Sequence, residues 1–561
     1  MTISHFSRRA SLKGLASAIG AALAATVPFA ASRAESAAST PAGGFDVRAF
    51  GARGDGATLD TGAINAAIEA AARAGGGTVR FPAGNYLSFS IRLRSKVALV
   101  LEAGCTLIAA DPAGAQGQYD PAEPNPWDAF QDFGHSHWHN SLIWGEGLDN
   151  VSITGPGRIW GRGLTRSGPG ANRPLKSGDM PDSLKGADPM GERARKGAVF
   201  GAEMAGKGNK AIALKNCRNV VLRDFSMLKC GHFAVLATGV DNLTIDNLSV
   251  DTERDGFDID CCRNVRIANC AVNTPNDDAI CLKSSFALGK ARFTEHVTIT
   301  GCQVSGFDLG TWLDGSFQTT QAEAPDKEGV CGRIKLGTES NGGFRNIGIA
   351  NCVFEHCRGF AIESVDGAII EDVTVDNLAM RDLTTAPLFI RLGRRMRAPE
   401  GTRVGAIRRI NISNVAVSGA NAPYASIVAG LPEAPVEDVR ISNYTAVHVG
   451  AGRALDAERE VPEQADRYPE PSMFGVTPAY GLFVRHVRNL DVHHADLRGA
   501  ASEGRPPVVL VDVDGASFEH VRLAHNAASK TFVLKNVRGF TLQDAQGLRD
   551  VARSNHLRTT L

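Results

Sequence analysis

A short strand pattern recurs along most of this chain and constrains its fold more than any other feature. Its unit is apolar-x-apolar-x-Asn, as in Leu243–Ile245 before Asn247 and Val265–Ile267 before Asn269. This alternation is typical of strands with one buried face. The units return every ~20 to 30 residues, which indicates stacked repeats. We therefore predict an all-β fold, a right-handed parallel β-helix, whose stacked asparagines share side-chain hydrogen bonds at one turn.

Two other all-β architectures compete with the β-helix. A propeller needs several strands per repeat joined by tight hairpins, and the spacing leaves no room for them. A two-sheet sandwich needs hairpin dipeptides such as Asn-Gly, which are nearly absent from this chain. The sandwich is the weaker alternative.

The chain divides into three parts. Residues 1–34 resemble a twin-arginine export signal, because Arg8 and Arg9 precede an apolar run that ends in small residues. An uncleaved anchoring helix is the alternative interpretation. A linker spans 35–44, and a single β-helix catalytic domain spans 45–561. We expect a periplasmic or secreted monomer with no membrane span in its mature form.

Composition excludes some classes of protein. The 60 basic and 60 acidic residues balance, whereas a nucleic-acid-binding protein usually carries a basic excess. Three of the eleven cysteines, Cys270, Cys302 and Cys352, occupy one slot of the repeat. We interpret them as small apolar residues packed in a ladder. A disulfide elsewhere stays open.

An amphipathic helix precedes the repeats. Asp60 or Thr61 can cap it, and Gly75 can end it. A strand follows from Thr78 to Phe81. The helix is expected to cover the open end of the core. Its apolar face is formed by Ile64, Ala67, Ile68 and Ala71.

Four stretches rich in proline, glycine and charge interrupt the rhythm. On a solenoid, loops that leave one face commonly wall a groove. We expect these loops to do so. They are Pro112 to Asn140, Thr165 to Asn209, Phe317 to Gly332 and Arg453 to Tyr480.

Three aspartates form the candidate catalytic site. Asp255 precedes the adjacent pair Asp277 and Asp278 by about one repeat, so they fall on neighbouring coils roughly 4.8 Å apart. Two carboxyl groups that flank a glycosidic bond can hydrolyse it. Carboxylates this close do not all ionise easily, so one is expected to stay protonated as the acid. The alternative is that acidic pairs in turns only cap backbone amides.

The sequence resembles glycoside hydrolase family 28, the polygalacturonase and rhamnogalacturonase family of β-helices. FDVRAFGARGDG, from Phe45, and SLIWGEGLDNVSITGPGRIWGRG, from Ser141, are similar to the opening coils of bacterial members. The Asn-Thr-Asp segment of the family falls on residues 253–255, and its Asp-Asp segment falls on 277–278. The similarity covers residues 45 to 450.

The resemblance implies roles for the three aspartates. Asp277 would be the general acid, and Asp255 with Asp278 would activate the water. The family inverts configuration, which goes with a wide carboxylate gap. No metal and no other cofactor is implied. The implied substrate is α-linked galacturonate in pectic polysaccharide or oligosaccharide, with rhamnogalacturonan as the alternative.

Two departures from the family pattern concern its carboxylate clamp. Residues 331–333, Cys-Gly-Arg, stand where the family has Gly-His-Gly. The Arg-Ile-Lys slot then falls on residues 361–363, Ala-Ile-Glu, although residues 333–335 match by letter. The sugar at that subsite therefore stays open.

Several charged residues are candidates for substrate binding. Arginine can hold a carboxylate with a bidentate fork, and carboxylates can accept bonds from sugar hydroxyls. Structural counter-ions and turn caps are the alternatives for each of them. The cations are Arg254, Lys283, Arg333, Lys335, Arg391, Arg394 and Arg395, and the acids are Glu339, Glu363 and Asp314.

Other functions compete with hydrolysis. A pectate lyase on the same architecture would use Ca²⁺ and a basic residue for elimination. A β-helix without activity could only bind glycans. The histidines of the HSHWH stretch, His135, His137 and His139, form a further candidate metal site.

Overall fold

The computed structural model describes residues 44–132, 134–165, 204–326, 328–420, 423–450, 452–524 and 529–561. Within these ranges, 35 strands form one hydrogen-bonded sheet wound as a right-handed parallel β-helix, as predicted. The export signal, nearly all of the linker and most of the loop from Thr165 to Asn209 lie outside the described residues. No helix of the described part is long and apolar enough to cross a membrane.

The first coils are capped by a helix. Helix α1 (Thr61–Arg73) buries the apolar face that the sequence predicts and packs on the first strands. The first seven strands are β1 (Phe45–Asp46), β2 (Asp55–Leu59), β3 (Gly77–Phe81), β4 (Gly84–Ser88), β5 (Ile91–Arg92), β6 (Val97–Leu101) and β7 (Cys105–Ala109).

The predicted side-chain cap of helix α1 is wrong. Asp60 is the residue before the helix, but its backbone is not extended (φ −94°, ψ 1°) and its side chain makes no capping bond. Its carboxylate instead accepts from the backbone N–H groups of Arg53 at 2.7 Å and Gly54 at 3.1 Å. Asp60 therefore secures the preceding loop.

The middle coils each contain three short strands. Phe233 lies opposite Asp255, and Leu243 lies opposite Val265, which confirms a coil of 22 residues there. The strands are β8 (Ser141–Glu146), β9 (Asp149–Thr154), β10 (Arg158–Trp160), β11 (Lys210–Lys215), β12 (Arg218–Arg223), β13 (Ser226–Leu228), β14 (Phe233–Thr238), β15 (Asp241–Asp246), β16 (Ser249–Asp251), β17 (Asp255–Asp260), β18 (Arg263–Ala268), β19 (Ala271–Asn273), β20 (Ile280–Ser284), β21 (Thr294–Thr300) and β22 (Gln303–Ser305).

In the later coils two strands merge into one long bent strand. The final strand, β35, runs antiparallel to β34 and was not anticipated from the repeat. The strands are β23 (Ile334–Ser340), β24 (Phe344–Glu355), β25 (Phe360–Ser364), β26 (Ile369–Arg381), β27 (Leu388–Leu392), β28 (Ala406–Ala420), β29 (Ser426–Ala429), β30 (Val436–His448), β31 (Leu482–Arg498), β32 (Val508–Glu519), β33 (Arg522–Leu523), β34 (Phe532–Gln543) and β35 (Val551–Thr560).

Helices outside the coils are short. They lie in the connections between strands. They are α2 (Thr311–Asp314) and the 3₁₀ helices Val47–Phe50, Asp128–Phe130, Ala454–Glu458 and Pro471–Phe474.

Asparagines at the turns form the predicted ladder. Asn377 donates to the side chain of Asn351 at 2.8 Å, and Asn443 donates to that of Asn414 at 2.9 Å. Asn377 has a φ of 53°, a left-handed conformation that asparagine tolerates better than most residues. The turn geometry explains why this residue type recurs.

The cysteines follow the sequence-based expectation, and three of the predicted loops lie between strands where the sequence places them. All eleven cysteines are buried and unpaired by disulfides, so the repeat cysteines pack as apolar residues. Three of the four predicted loops lie mainly within the described ranges. They separate β7 from β8, β22 from β23, and β30 from β31.

Candidate active site

The structure brings the three predicted aspartates together. Asp255 begins β17, while Asp277 and Asp278 lie in the turn before β20, the strand paired with β17. One carboxylate oxygen from each of the three lies within 4.8 Å of the others. Because Asp277 and Asp278 precede the regular strand, both side chains can reach the same side. We call these three residues the aspartate trio.

Asp278 is held as a carboxylate. It is 1% exposed, Arg333 Nε donates to its Oδ1 at 2.8 Å, and Lys335 Nζ contacts its Oδ2. Burial alone would raise the pKa of Asp278, but Lys335 and Arg333 outweigh it and hold this pKa well below its usual range. Asp278 is therefore ionised throughout the neutral range.

Asp255 has the opposite environment. Burial, followed by the neighbouring carboxylates of Asp258 and Asp277, raises the pKa of Asp255 well above its usual range. His232 Nε2 lies 4.0 Å from the Asp255 carboxylate. Asp255 is thus the member of the trio that keeps a proton.

Asp277 faces the opening of the site. About a quarter of its side chain (24%) is exposed, and it accepts from Arg254 Nε at 3.2 Å and Nη2 at 2.5 Å. The resemblance makes Asp277 the acid, whereas the environment favours the proton on Asp255. The division of roles within the trio therefore stays a prediction.

Lys283 and Glu339 form a buried ion pair next to the trio. Lys283 Nζ donates to Glu339 at 3.0 Å and lies 4.0 Å from Asp258. Arg397 contacts the other oxygen of Glu339. Burial opposes ionisation of Glu339, but Lys283 and Arg397 hold its pKa well below its usual range. Both predicted binding residues thus pair within the protein.

Glu363 lies one coil beyond Lys335. Lys335 of β23 is opposite Ala361 of β25, so residues 361–363 lie on the coil that follows Lys335. Glu363 is fully buried, and Arg333 Nη2 lies 3.8 Å from its Oε1. Neither of its oxygens accepts a hydrogen bond within the described residues. Burial raises the pKa of Glu363 to about 8 despite the two cations, Lys335 and Arg333.

Asp314 does not join the trio. It is exposed, and its carboxylate accepts from the backbone N–H of Ser316 at 2.9 Å and from the Ser316 hydroxyl at 2.6 Å. The N–H groups of Trp312 and Leu313 donate to Asp251 instead, which fixes helix α2. Asp314 caps its own turn, the structural alternative for this residue.

The arginines of the later coils are also engaged. Arg391 Nη1 donates to the carbonyl of Gly430 at 2.9 Å. Arg394 pairs with Glu433 at 2.7 Å, and Arg395 pairs with Asp366 at 2.5 Å. These contacts favour a structural role for each of them.

The HSHWH histidines separate rather than converge. His135 Nε2 lies 2.9 Å from Asp258, His137 Nε2 lies 3.1 Å from Asp128, and His139 Nε2 lies 2.9 Å from Glu146. Each imidazole has its own carboxylate, so the stretch does not form one metal site.

The aspartate trio does not fit a bound calcium ion either. Within the described residues it is the one group of acids, histidines or cysteines close enough to hold a metal. However, Asp278 is already bonded to Arg333 and Lys335, and Asp277 is bonded to Arg254. A divalent cation would have to displace these cations, so the donor set does not match the lyase alternative.

Four residues near the trio were missed by sequence reasoning. Asp258 and His232 flank Asp255. Glu470, which pairs with Arg333, and Tyr468, which lies near Arg254 and Lys335, come from the loop 453–480. Glu470 accepts from both Nη atoms of Arg333, at 3.0 and 2.5 Å. Only alternation within β17 could have indicated Asp258, and no local signal marks the two loop residues.

Comparison with known proteins places this site in a recognised fold. A family profile described as rhamnogalacturonase A/epimerase, pectate lyase-like, matches residues 44–120, and one for right-handed β-helix regions matches residues 193–323. Alginate lyase 7 of Azotobacter vinelandii is 46% identical over 66 residues, 12% of this chain and 8% of that protein. Mannuronan C5-epimerase AlgE3 of the same organism is 48% identical over 66 residues, 12% of this chain and 4% of that protein. The chain thus matches less than a tenth of either relative.

Solved structures match over nearly the whole chain. The exopolygalacturonase of Thermotoga maritima is 17% identical with a TM-score of 0.52, covering 93% of this chain and 94% of that one. The family 28 exopolygalacturonase of Yersinia enterocolitica is 18% identical with a TM-score of 0.55, covering 89% and 77%. The chain therefore has a β-helix fold similar to that of these two exopolygalacturonases.

Proposed function

We propose that the protein is an exported glycoside hydrolase that cleaves pectic polysaccharide or oligosaccharide with inversion of configuration. The observation that carries the proposal is the unequal environment of the aspartate trio. Asp278 is kept ionised by Arg333 and Lys335, while Asp255 keeps a proton within 4.8 Å of it. An acid and a base on either side of one bond are what glycoside hydrolysis requires.

In this proposal one proton passes from Asp255 through Asp277 to the leaving oxygen. Asp277 is the member of the trio with an exposed face, so it delivers the proton to the leaving oxygen. Asp255 stores the proton in the free enzyme and stays beside Asp277 during the transfer. Asp278, with Asp255 after it has given up its proton, activates the attacking water.

Hydrolysis by water is favoured over covalent attack by the protein. The carboxylate gap is narrower than the wide gap expected for inversion, and a short gap alone would suggest retention. However, both oxygens of Asp278 are held by cations, Oδ1 by Arg333 and Oδ2 by Lys335. A carboxylate so fixed cannot move onto the sugar carbon, whereas it can orient a water.

Attack at a chain end is part of the proposal. Asp255 and Asp278 are 3% and 1% exposed, and Glu470 of the loop 453–480 bonds to Arg333 behind them. The middle of a long polymer does not fit so enclosed a centre, whereas a terminus does. The two solved structures of the same fold that are described as exopolygalacturonases support this mode of action.

The proposal is tested by incubating the full chain with polygalacturonate, rhamnogalacturonan and short oligogalacturonates, and resolving the products by size. We expect single residues or short units with a new reducing end. Asp255→Asn should abolish turnover, while the matched control Asp314→Asn should leave it unchanged. An unsaturated product that absorbs in the ultraviolet would contradict hydrolysis and indicate an eliminating enzyme. Binding of these ligands without turnover would indicate a glycan-binding protein.

A further inference from the structure

The charges around the aspartate trio bear on the kind of sugar that binds there. A free uronic acid carries a carboxylate, which proteins hold with arginine or lysine donors that are available to it. The sequence marks four cations for this task near the trio. They are Arg254, Lys283, Arg333 and Lys335.

Arg333 has its whole guanidinium fork engaged. Its Nε donates to Asp278 at 2.8 Å, and its Nη1 and Nη2 donate to Glu470 at 3.0 and 2.5 Å. Lys335 contacts the other oxygen of Asp278. Both cations are at most 2% exposed. Turning either one toward a ligand would break a buried ion pair with Asp278, which is unfavourable.

The remaining two cations are engaged as well. Lys283 donates to Glu339 at 3.0 Å. Arg254, which is partly exposed, donates hydrogen bonds from Nε and Nη2 to the Asp277 carboxylate. A uronate carboxylate that took Arg254 would compete directly with a member of the trio.

Two further acids lie buried beside these pairs. Asp258 and Glu363 are both fully buried, and no oxygen of either accepts a hydrogen bond in the part of the chain that the structure describes. Asp258 has His135 and Lys283 beside it, and Glu363 has Arg333 at 3.8 Å. Burial raises the pKa of Glu363 to about 8, so a further negative charge is disfavoured in this region.

We propose that the sugar bound at the aspartate trio is uncharged: a neutral glycosyl residue or an esterified uronate, not a free uronate. The cationic donors near the trio are already paired with protein carboxylates. The carboxylates of the site can accept hydrogen bonds from sugar hydroxyls, whereas they repel a second carboxylate. The inference rests on the proposed function, because it names the substrate class of the same site. It departs from the galacturonate that the sequence resemblance implies.

The test compares two ligands that differ only in charge. Trigalacturonate and the same trisaccharide with its carboxyl groups reduced to primary alcohols are titrated calorimetrically into full-length Asp255→Asn. This variant replaces a protonated carboxyl by an uncharged isostere, so the surrounding charges are kept. We expect the reduced trisaccharide to bind at least about tenfold more tightly, with little salt dependence. Equal or tighter binding of trigalacturonate, or binding of neither, would overturn the inference.

A second variant should move the preference in the opposite direction. Glu470→Gln, made in the Asp255→Asn background, frees donors on Arg333 and on Arg358, which pairs with Glu470 at 3.0 Å. We expect trigalacturonate to gain several-fold in affinity, while the reduced trisaccharide stays unchanged. The matched control is Glu371→Gln, because Glu371 also pairs with two arginines, Arg408 at 2.7 Å and Arg409 at 2.8 Å. A gain of affinity in the control alone would contradict the inference.

Turnover by the unmodified protein separates this inference from the proposed function. Faster hydrolysis of the reduced trisaccharide supports both. Faster hydrolysis of trigalacturonate would overturn the inference and leave the hydrolase standing. If neither ligand is hydrolysed but the binding preference holds, the hydrolase proposal fails and the preference for an uncharged sugar stands.

Discussion

One column of the sheet has two contrasting halves. Where β17, β20 and β23 stack, the aligned positions are Asp258, Cys281 and Lys335. Further along, the same column is apolar and lies under the loop 453–480. Its members there are Phe389, Ile427, Phe483, Val509 and Val533.

The two halves are stabilised by different interactions. The apolar half forms a separate hydrophobic cluster with Met473 and Phe474 of the loop. The charged half is held by ion pairs, including Arg333 with Asp278 and Glu470. The comparison teaches that the coils supply equivalent positions, while the loop determines which of them are covered. Because the loop 453–480 packs on the apolar half through Met473 and Phe474, its Glu470 reaches Arg333 in the charged half.

The largest effect is expected for Asp278→Asn in the charged half. Loss of the base should lower kcat by about 10³-fold or more, since a positioned acid or base contributes about 10²–10⁴-fold. The substitution also leaves Arg333 and Lys335 short of a counter-charge, so circular dichroism should first confirm folding. Initial rates measured beside Asp314→Asn provide the comparison. Retention of full activity would remove Asp278 from the mechanism.

Next in size is Phe474→Ala, which should loosen the apolar half. Phe474 is fully buried, and removing such a ring typically costs about 3–5 kcal/mol. We expect a lower unfolding free energy in denaturant titration and products that shift from chain ends toward internal cuts. Leu455, 79% exposed in the same loop, is the control, because Leu455→Ala should change neither quantity. An unchanged product pattern in a destabilised Phe474→Ala variant would separate the loop from chain-end attack.

A smaller effect concerns pH and the charged half. Glu363 has a pKa of about 8 when folded, well above its ordinary 4.5, so the folded protein binds the extra proton between these values. Its contribution to stability is complete below pH 4.5 and is lost as pH rises toward 8. Glu363→Gln should therefore flatten the fall in unfolding free energy across this window, by about 1 kcal/mol per pH unit. Denaturant titrations from pH 5 to pH 8 measure the slope, and identical slopes for both proteins would refute the shift.

The smallest effect is expected at the turns, where both halves use the same ladder. Asn377→Ala removes the bond to Asn351 and places alanine at a φ of 53°. We expect a loss of about 1–2 kcal/mol in thermal unfolding and no change in activity. A change in kcat here would show that the coils transmit strain to the trio.

Much of the fold could be predicted because it is encoded locally. The apolar-x-apolar-x-Asn unit indicates each coil, and the spacing of Asp255 from Asp277 brings the trio together once the coils stack. The helix face around Ile64 follows from its period. The antiparallel strand β35 does not, since it lacks the repeat.

The charge network could not be predicted, because its partners are far apart in sequence. Arg333 and Glu470 are separated by 137 positions, and His135 meets Asp258 across a loop. Asp314 shows the converse, since a carboxylate in a promising stretch is used by its own turn. Residue type and spacing thus predicted that the three aspartates lie together, but not which cations remain available to a ligand.

The central claim is that the aspartate trio directs water onto an α-linked glycosidic bond. Proton NMR of the first product formed from a short α-linked oligosaccharide tests it most directly. The account predicts that the β-anomer appears first and then mutarotates. An α-anomer as the first product, or an unsaturated sugar, would contradict it.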